Sequence, residues 1–195
     1  MSYQDDLHYT TDKRCGFERL RVDVAQTGFF EGREFRTFKE LNIAPSTTYV
    51  IKGVVPINII LMALAVNIDS GWLRIGSYAG GTEGGSFSET LPIFAANAMD
   101  LGVNRRQSQG HAAYVPQVIV TAGGTHSGGT EIDVLRIKVN AISAQAATVG
   151  QDADSARGVA ATTYYLRLLN LSNTDAVTGV YSARWEERPA GFFQT

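Results

Sequence analysis

The chain has three histidines, His8, His111 and His126, and their spacing bears on whether they can hold a metal. Ligand sets usually appear as paired residues at short fixed offsets. These three lie far apart, each in a polar or glycine-rich segment, and read as exposed loop residues. Asp152 and Asp154 have the DxD spacing of calcium loops and of some transferases. A third oxygen ligand at the right offset and a closing glutamate are missing, so the pair reads as a solvated acidic loop. Glu186 and Glu187 are adjacent, and neighbouring strand residues point to opposite faces, so they cannot act together on one bond. Two glycine motifs, Gly80-Gly81-Thr82-Glu83-Gly84-Gly85 and Gly123-Gly124-Thr125-His126-Ser127-Gly128-Gly129, lack the Gly-Lys-Ser/Thr ending of a phosphate loop and lead into no helical pattern. There is no Gly-x-Ser-x-Gly nucleophile elbow, and Cys15 has no neighbouring base. The sequence points to no enzyme activity, no metal and no cofactor.

Composition bounds the rest. At 195 residues the chain suits one domain with terminal arms, and a domain of that size needs no disulfide or metal to fold. A net charge of −2 supplies no basic field for phosphates, which argues against nucleic acid as a partner. The single cysteine fits assembly in a reducing compartment. No basic, then apolar, N-terminal leader is visible. The longest apolar stretch, residues 54–68, is broken by Pro56, Asn58 and Asn67, too short and interrupted for a membrane helix. The expectation is a soluble protein with no membrane partner.

The elements that would position any site are strands. Residues 1–16 are polar and aperiodic and read as an extended N-terminal arm; residues 17–188 read as the domain, and 189–195 as a C-terminal tail. Phe17, Leu20, Val22 and Val24 approach strand alternation. Phe35, Thr37, Lys39 and Leu41 alternate with Arg36, Phe38 and Glu40; a helical period also fits Phe35, Phe38 and Leu41, and the aromatic enrichment favours strand. Ala44-Pro45-Ser46 is a turn, and residues 47–55 are a β-branched core strand. Asp69-Ser70-Gly71 between two apolar runs predicts a hairpin. The two glycine motifs suggest glycine-tipped hairpins side by side, or a chance recurrence. Residues 95–110 and 144–158 read as loops. Residues 162–171 and 177–187 read as strands of a closing hairpin around Ser172-Asn173-Thr174-Asp175. Many short strands with turns between them predict an all-β fold, a jelly-roll-like antiparallel β-sandwich with long glycine-rich loops and extended arms. Trp72 and Trp185 are expected in its core.

Aromatics crowd the edges of this domain. Phe29, Phe30, Phe35 and Phe38 lie beside Arg33 and Arg36, and Phe192 and Phe193 follow the last strand. A Phe-Phe pair on a tail is a solubility liability unless a partner covers it, so these six are the candidate interface residues.

The run Leu20-Arg-Val-Asp-Val, then Gly28-Phe-Phe-Glu-Gly-Arg-Glu-Phe-Arg-Thr-Phe-Lys-Glu-Leu41, resembles virion structural proteins of tailed bacteriophages. So do residues 122–130 and Gly179-Val-Tyr-Ser-Ala-Arg-Trp-Glu-Glu-Arg188. The resemblance implies a capsid decoration or cement protein, homo-oligomeric with a trimer as the expected form, bound to the major capsid protein. It also allows a tail- or neck-attached protein that binds a receptor or carbohydrate. It implies no catalytic residue.

Overall fold

The computed structural model describes residues 9–11, 18–20, 28, 32–96, 114–139, 145–148 and 157–188. In chain order the strands are β1 (Tyr9–Thr11), β2 (Glu18–Leu20), β3 (Glu34–Ile43), β4 (Thr48–Val55), β5 (Ile59–Ala79), β6 (Thr82–Gly84), β7 (Glu89–Thr90) and β8 (Ile93–Ala95). There follow β9 (Ile119–Ala122), β10 (Thr125–Ser127), β11 (Thr130–Val139), β12 (Gln145–Thr148), β13 (Arg157–Val159), β14 (Thr162–Asn170) and β15 (Val177–Glu187). Every pairing is antiparallel, and the expected all-β sandwich is what the chain forms. β1 and β2 pair with each other in a separate ribbon, so part of residues 1–16 is strand.

The sandwich is one sheet folded double. β5 is its spine. Its first half, Ile59–Ser70, pairs with β15, β12 and β13; its second half, Gly71–Ala79, pairs with β14 and β11. One layer therefore runs β8, β3, β15, β5, then β12 and β13. The other runs β7, β9, β4, β14, β5, β11. The expected hairpin at Asp69-Ser70-Gly71 does not form; the strand continues through it. Register against β15 slips between Thr178 and Gly179, passing over Asp69, and such a bulge bends a strand and lets it change sheets. Gly71 takes φ +101, and a Cβ there would meet Val177 Cγ2 at 2.6 Å, so glycine serves the bend twice over.

The closing hairpin is also corrected. Both strands exist, but β14 lies between β4 and β5 in one layer and β15 between β3 and β5 in the other. Residues 171–176 arch between layers instead of joining paired strands. Turn residues specify that the chain reverses, whereas the flanking strands decide what it pairs with. The link from β3 to β4 crosses the same fold line, and β11 and β12 flank it as well.

Asn170, 1 % exposed, ties these crossings together. Its Nδ2 donates to the carbonyls of Ile43, Ala44 and Asp175 at 2.9, 3.1 and 2.8 Å, and its Oδ1 accepts from Ser172 N at 2.9 Å. Leu171 N donates to Trp72 O at 2.8 Å, and Ser46 N to Ser172 O at 2.9 Å. Between the layers lie Phe35, Val66, Ile68, Leu73, Ile75, Leu168 and Trp185, all at 2 % exposure or less. The expected loop at 144–158 contains β12 and ends in β13, both hydrogen-bonded to β5.

Both faces of β4 carry buried residues, so adjacent Val50 and Ile51 are both apolar. Ile51 and Val55 face the other layer, while Val50 joins Tyr78 and Tyr165 in a small outer cluster against Phe87. The lid over that cluster is the two glycine motifs, whose β6 and β10 pair with each other. His126 stacks on Tyr165 at 3.9 Å with an interplanar angle of 12°, and its Nε2 lies 2.9 Å from Gly80 O.

Candidate functional site

The six expected contact residues separate. Phe29, Phe30, Phe192 and Phe193 lie outside the described residues. Phe35 is 1 % exposed and packs on Tyr114 and Trp185 at centroid distances of 6.0 and 6.1 Å, so its ring is core and not free to meet another chain. Phe38 is 48 % exposed and stacks on Phe94, itself 37 % exposed, at 5.7 Å and 12°. Strand alternation separates the two phenylalanines of β3: Phe35, Thr37 and Leu41 face inward, Phe38 outward. Val180, on the same outer face, is also exposed. Phe94 escaped the sequence reading because only its pairing through Arg36 brings it beside Phe38. Trp185 is core as expected. Trp72 is not: it is 39 % exposed, with Lys138 Nζ 5.4 Å from its ring centroid.

The adjacent glutamates face opposite ways, as strand geometry requires. Glu186 meets Arg33 at 3.0 Å and Arg188 at 2.8 Å. Glu187, fully buried, accepts from Gln117 N and Val118 N at 3.0 Å and from Trp185 Nε1 at 3.3 Å. The two carboxylates anchor the end of β15 to separate partners and share no cleft.

Ionic groups on the second layer also serve to tie segments. Glu83 takes Lys52 and the Tyr165 hydroxyl, and both hold its carboxyl below the ordinary range. Burial first, and then Glu83, push the Tyr165 phenol up to about 12, away from use as a nucleophile. Lys39 and the Tyr49 hydroxyl likewise depress Glu89, closing one side of the sandwich between β3, β4 and β7. Among the described residues no group of His, Cys, Asp and Glu is arranged to hold a metal ion.

Between the layers, away from the fold line, lies a cavity of about 420 Å³. Its walls include Ile51, Gly53, Val55, Leu166 and Ser77 on one layer and Ile59, Leu61, Leu64, Tyr181, Ala183 and Trp185 on the other; no lining residue is charged. The space arises from small residues at inward positions. Gly53 sits between core residues Ile51 and Val55, and a Cβ on it would find nothing within 4 Å. Ser77 follows Leu73 and Ile75 on the inward face of β5. A sequence signal existed in both places, since each is a gap in a run of alternating large apolar residues. Ile132, Gly158 and Ala160, all exposed, lie at its rim. Left empty and sealed, a void this size would cost on the order of 10 kcal/mol at about 24 cal/mol per Å³. That upper bound rivals a whole domain's stability.

No protein-family model, curated protein or solved structure matches this chain.

Proposed function

We propose that this protein is a structural component of a tailed-phage particle, assembled in the host cytoplasm, that works by adhesion and not by catalysis. In this reading it decorates the capsid as a homo-oligomer, a trimer by expectation, and bears on the major capsid protein. The observation that carries the adhesive part is the Phe38–Phe94 stack on an otherwise solvated sheet face. Single exposed apolar residues are ordinary, whereas a paired aromatic patch with Val180 beside it suits a contact surface. Symmetry multiplies such weak contacts. Phe29, Phe30, Phe192 and Phe193 remain proposed contacts on sequence grounds.

Sedimentation of the purified chain tests adhesion directly. The wild type is expected to self-associate and Phe38→Ser to shift toward monomer with an unchanged circular dichroism spectrum. A wild type that stays monomeric at every concentration overturns the homo-oligomer. Deleting residues 190–195 is expected to lower particle occupancy while leaving the domain folded. Copy number then distinguishes positions: hundreds per particle mean capsid decoration, six or twelve mean tail or neck. The second reading, a tail or neck protein that binds carbohydrate, draws on the exposed Trp72 ring, since sugars stack on such faces. Loss of glycan binding in Trp72→Ala is the result that reading requires.

A further inference from the structure

We propose that the inter-layer cavity is a binding site for a neutral, mainly apolar small molecule that carries one hydrogen-bonding head group, such as a long-chain alcohol. This goes beyond the adhesive role and does not depend on it.

Size admits such a ligand. Small-molecule pockets run from about 300 to 1,000 Å³ and are mostly apolar with a few placed polar groups. A dry apolar cavity of about 150 Å³ already takes up benzene, and this one holds about 420 Å³. The polar groups are the discriminating feature. Ser77 Oγ is buried in the wall with no hydrogen-bond partner. Tyr181, 5 % exposed, lines the same space. Buried hydroxyls are normally satisfied, so the unpartnered Ser77 hydroxyl in the wall of this space asks for an occupant that supplies the missing partner.

That requirement selects among occupants. Water needs two to four polar partners, and the other polar rings of the lining, Tyr164, Tyr165 and Trp185, already bond to Ala160 O, Glu83 and Glu187. An inserted peptide would bring backbone N–H and C=O groups with nowhere to bond. An apolar side chain from a neighbouring copy would fill volume but leave Ser77 unsatisfied. A fatty acid anion would enter a site with no cation among its lining residues. A neutral chain with a hydroxyl or ester head answers both the walls and the Ser77 hydroxyl. Gly53 keeps the space open, and the exposed Ile132 and Ala160 at its rim give a way in.

Trp185 lines the cavity and reports on it, once the solvent-facing second indole is removed in a Trp72→Phe background. Protein stripped of bound lipid on a hydrophobic resin is titrated with 1-decanol and, separately, with decanoate at pH 8. The expected result is a saturable shift of Trp185 emission with decanol and at least ten-fold weaker binding of decanoate. Gly53→Leu is expected to abolish the shift. Ser77→Val, which puts methyl groups in place of the hydroxyl at the edge of open space, is expected to weaken binding roughly three- to ten-fold, the loss of one neutral hydrogen bond. No saturable shift in the parent, decanoate binding as tightly as decanol, or unchanged decanol binding in folded Ser77→Val overturns the site. A wild-type sample that resists stripping and yields a neutral lipid in an organic extract supports it.

Discussion

The fold line and the cavity are both built from inward-facing strand residues, yet they treat buried polar atoms in opposite ways. At the fold line Asn170 makes four hydrogen bonds, and the crossings of the sandwich are pinned by them. Glu187, at the far end of β15, is satisfied just as fully. In the cavity the buried Ser77 hydroxyl has no partner among the described residues. Since an unmade buried hydrogen bond costs about 1–3 kcal/mol, saturation marks where the chain specifies its own fold. In the cavity, the missing partner of Ser77 is what the proposed occupant supplies.

This contrast can be broken by substitution, and the largest effect belongs to Glu187. Replacing it with Ala strands Gln117 N, Val118 N and the Trp185 indole, and a loss of about 3–5 kcal/mol is expected in urea unfolding. Asn170→Ala follows at about 2–4 kcal/mol, with thermal scans reading the same order. Gly53→Leu, in the cavity, is expected to move the other way and raise stability by about 0.5–2 kcal/mol, because a Cβ at Gly53 enters open space and the cavity lies beyond it.

The smallest effect is electrostatic. Lys39 first, and then Tyr49, hold the Glu89 carboxyl below its ordinary value of 4.5. A depressed folded pKa means that the unfolded chain takes up the proton more readily. The stabilisation is therefore complete above about pH 4.5 and fades as pH falls through the lower folded value. Glu89 is partly exposed, so solvent screens the effect. Lys39→Met is expected to make the acid limb of a stability–pH curve slightly shallower and to leave the curve's shape above pH 6 unchanged.

Much of this was legible in the chain. The β class and the spans of β3, β4, β14 and β15 follow from alternation and from β-branched runs. The outward Phe38 and inward Phe35 differ by an odd number of positions, so their separation was implicit in the strand reading, although both were grouped as contacts. Pairing was not legible. Ser172 to Asp175 announces a reversal, and nothing local says that β14 and β15 land in different layers. Likewise Asp69-Ser70-Gly71 has the composition of a turn, but β14 and β15, more than ninety positions later, hold it as a bulge. The cavity could be read only as missing bulk at Gly53 and Ser77, and that signal needs the facing layer to become a space.

Paired urea titrations of Asn170→Ala and Ser77→Val test the contrast most directly, since each removes one buried polar side chain. The account predicts a midpoint well below wild type for Asn170→Ala, and one equal to wild type or higher by up to about 1 kcal/mol for Ser77→Val. A Ser77→Val midpoint that falls as far as that of Asn170→Ala would mean its hydroxyl is already satisfied within the fold, and would contradict the account.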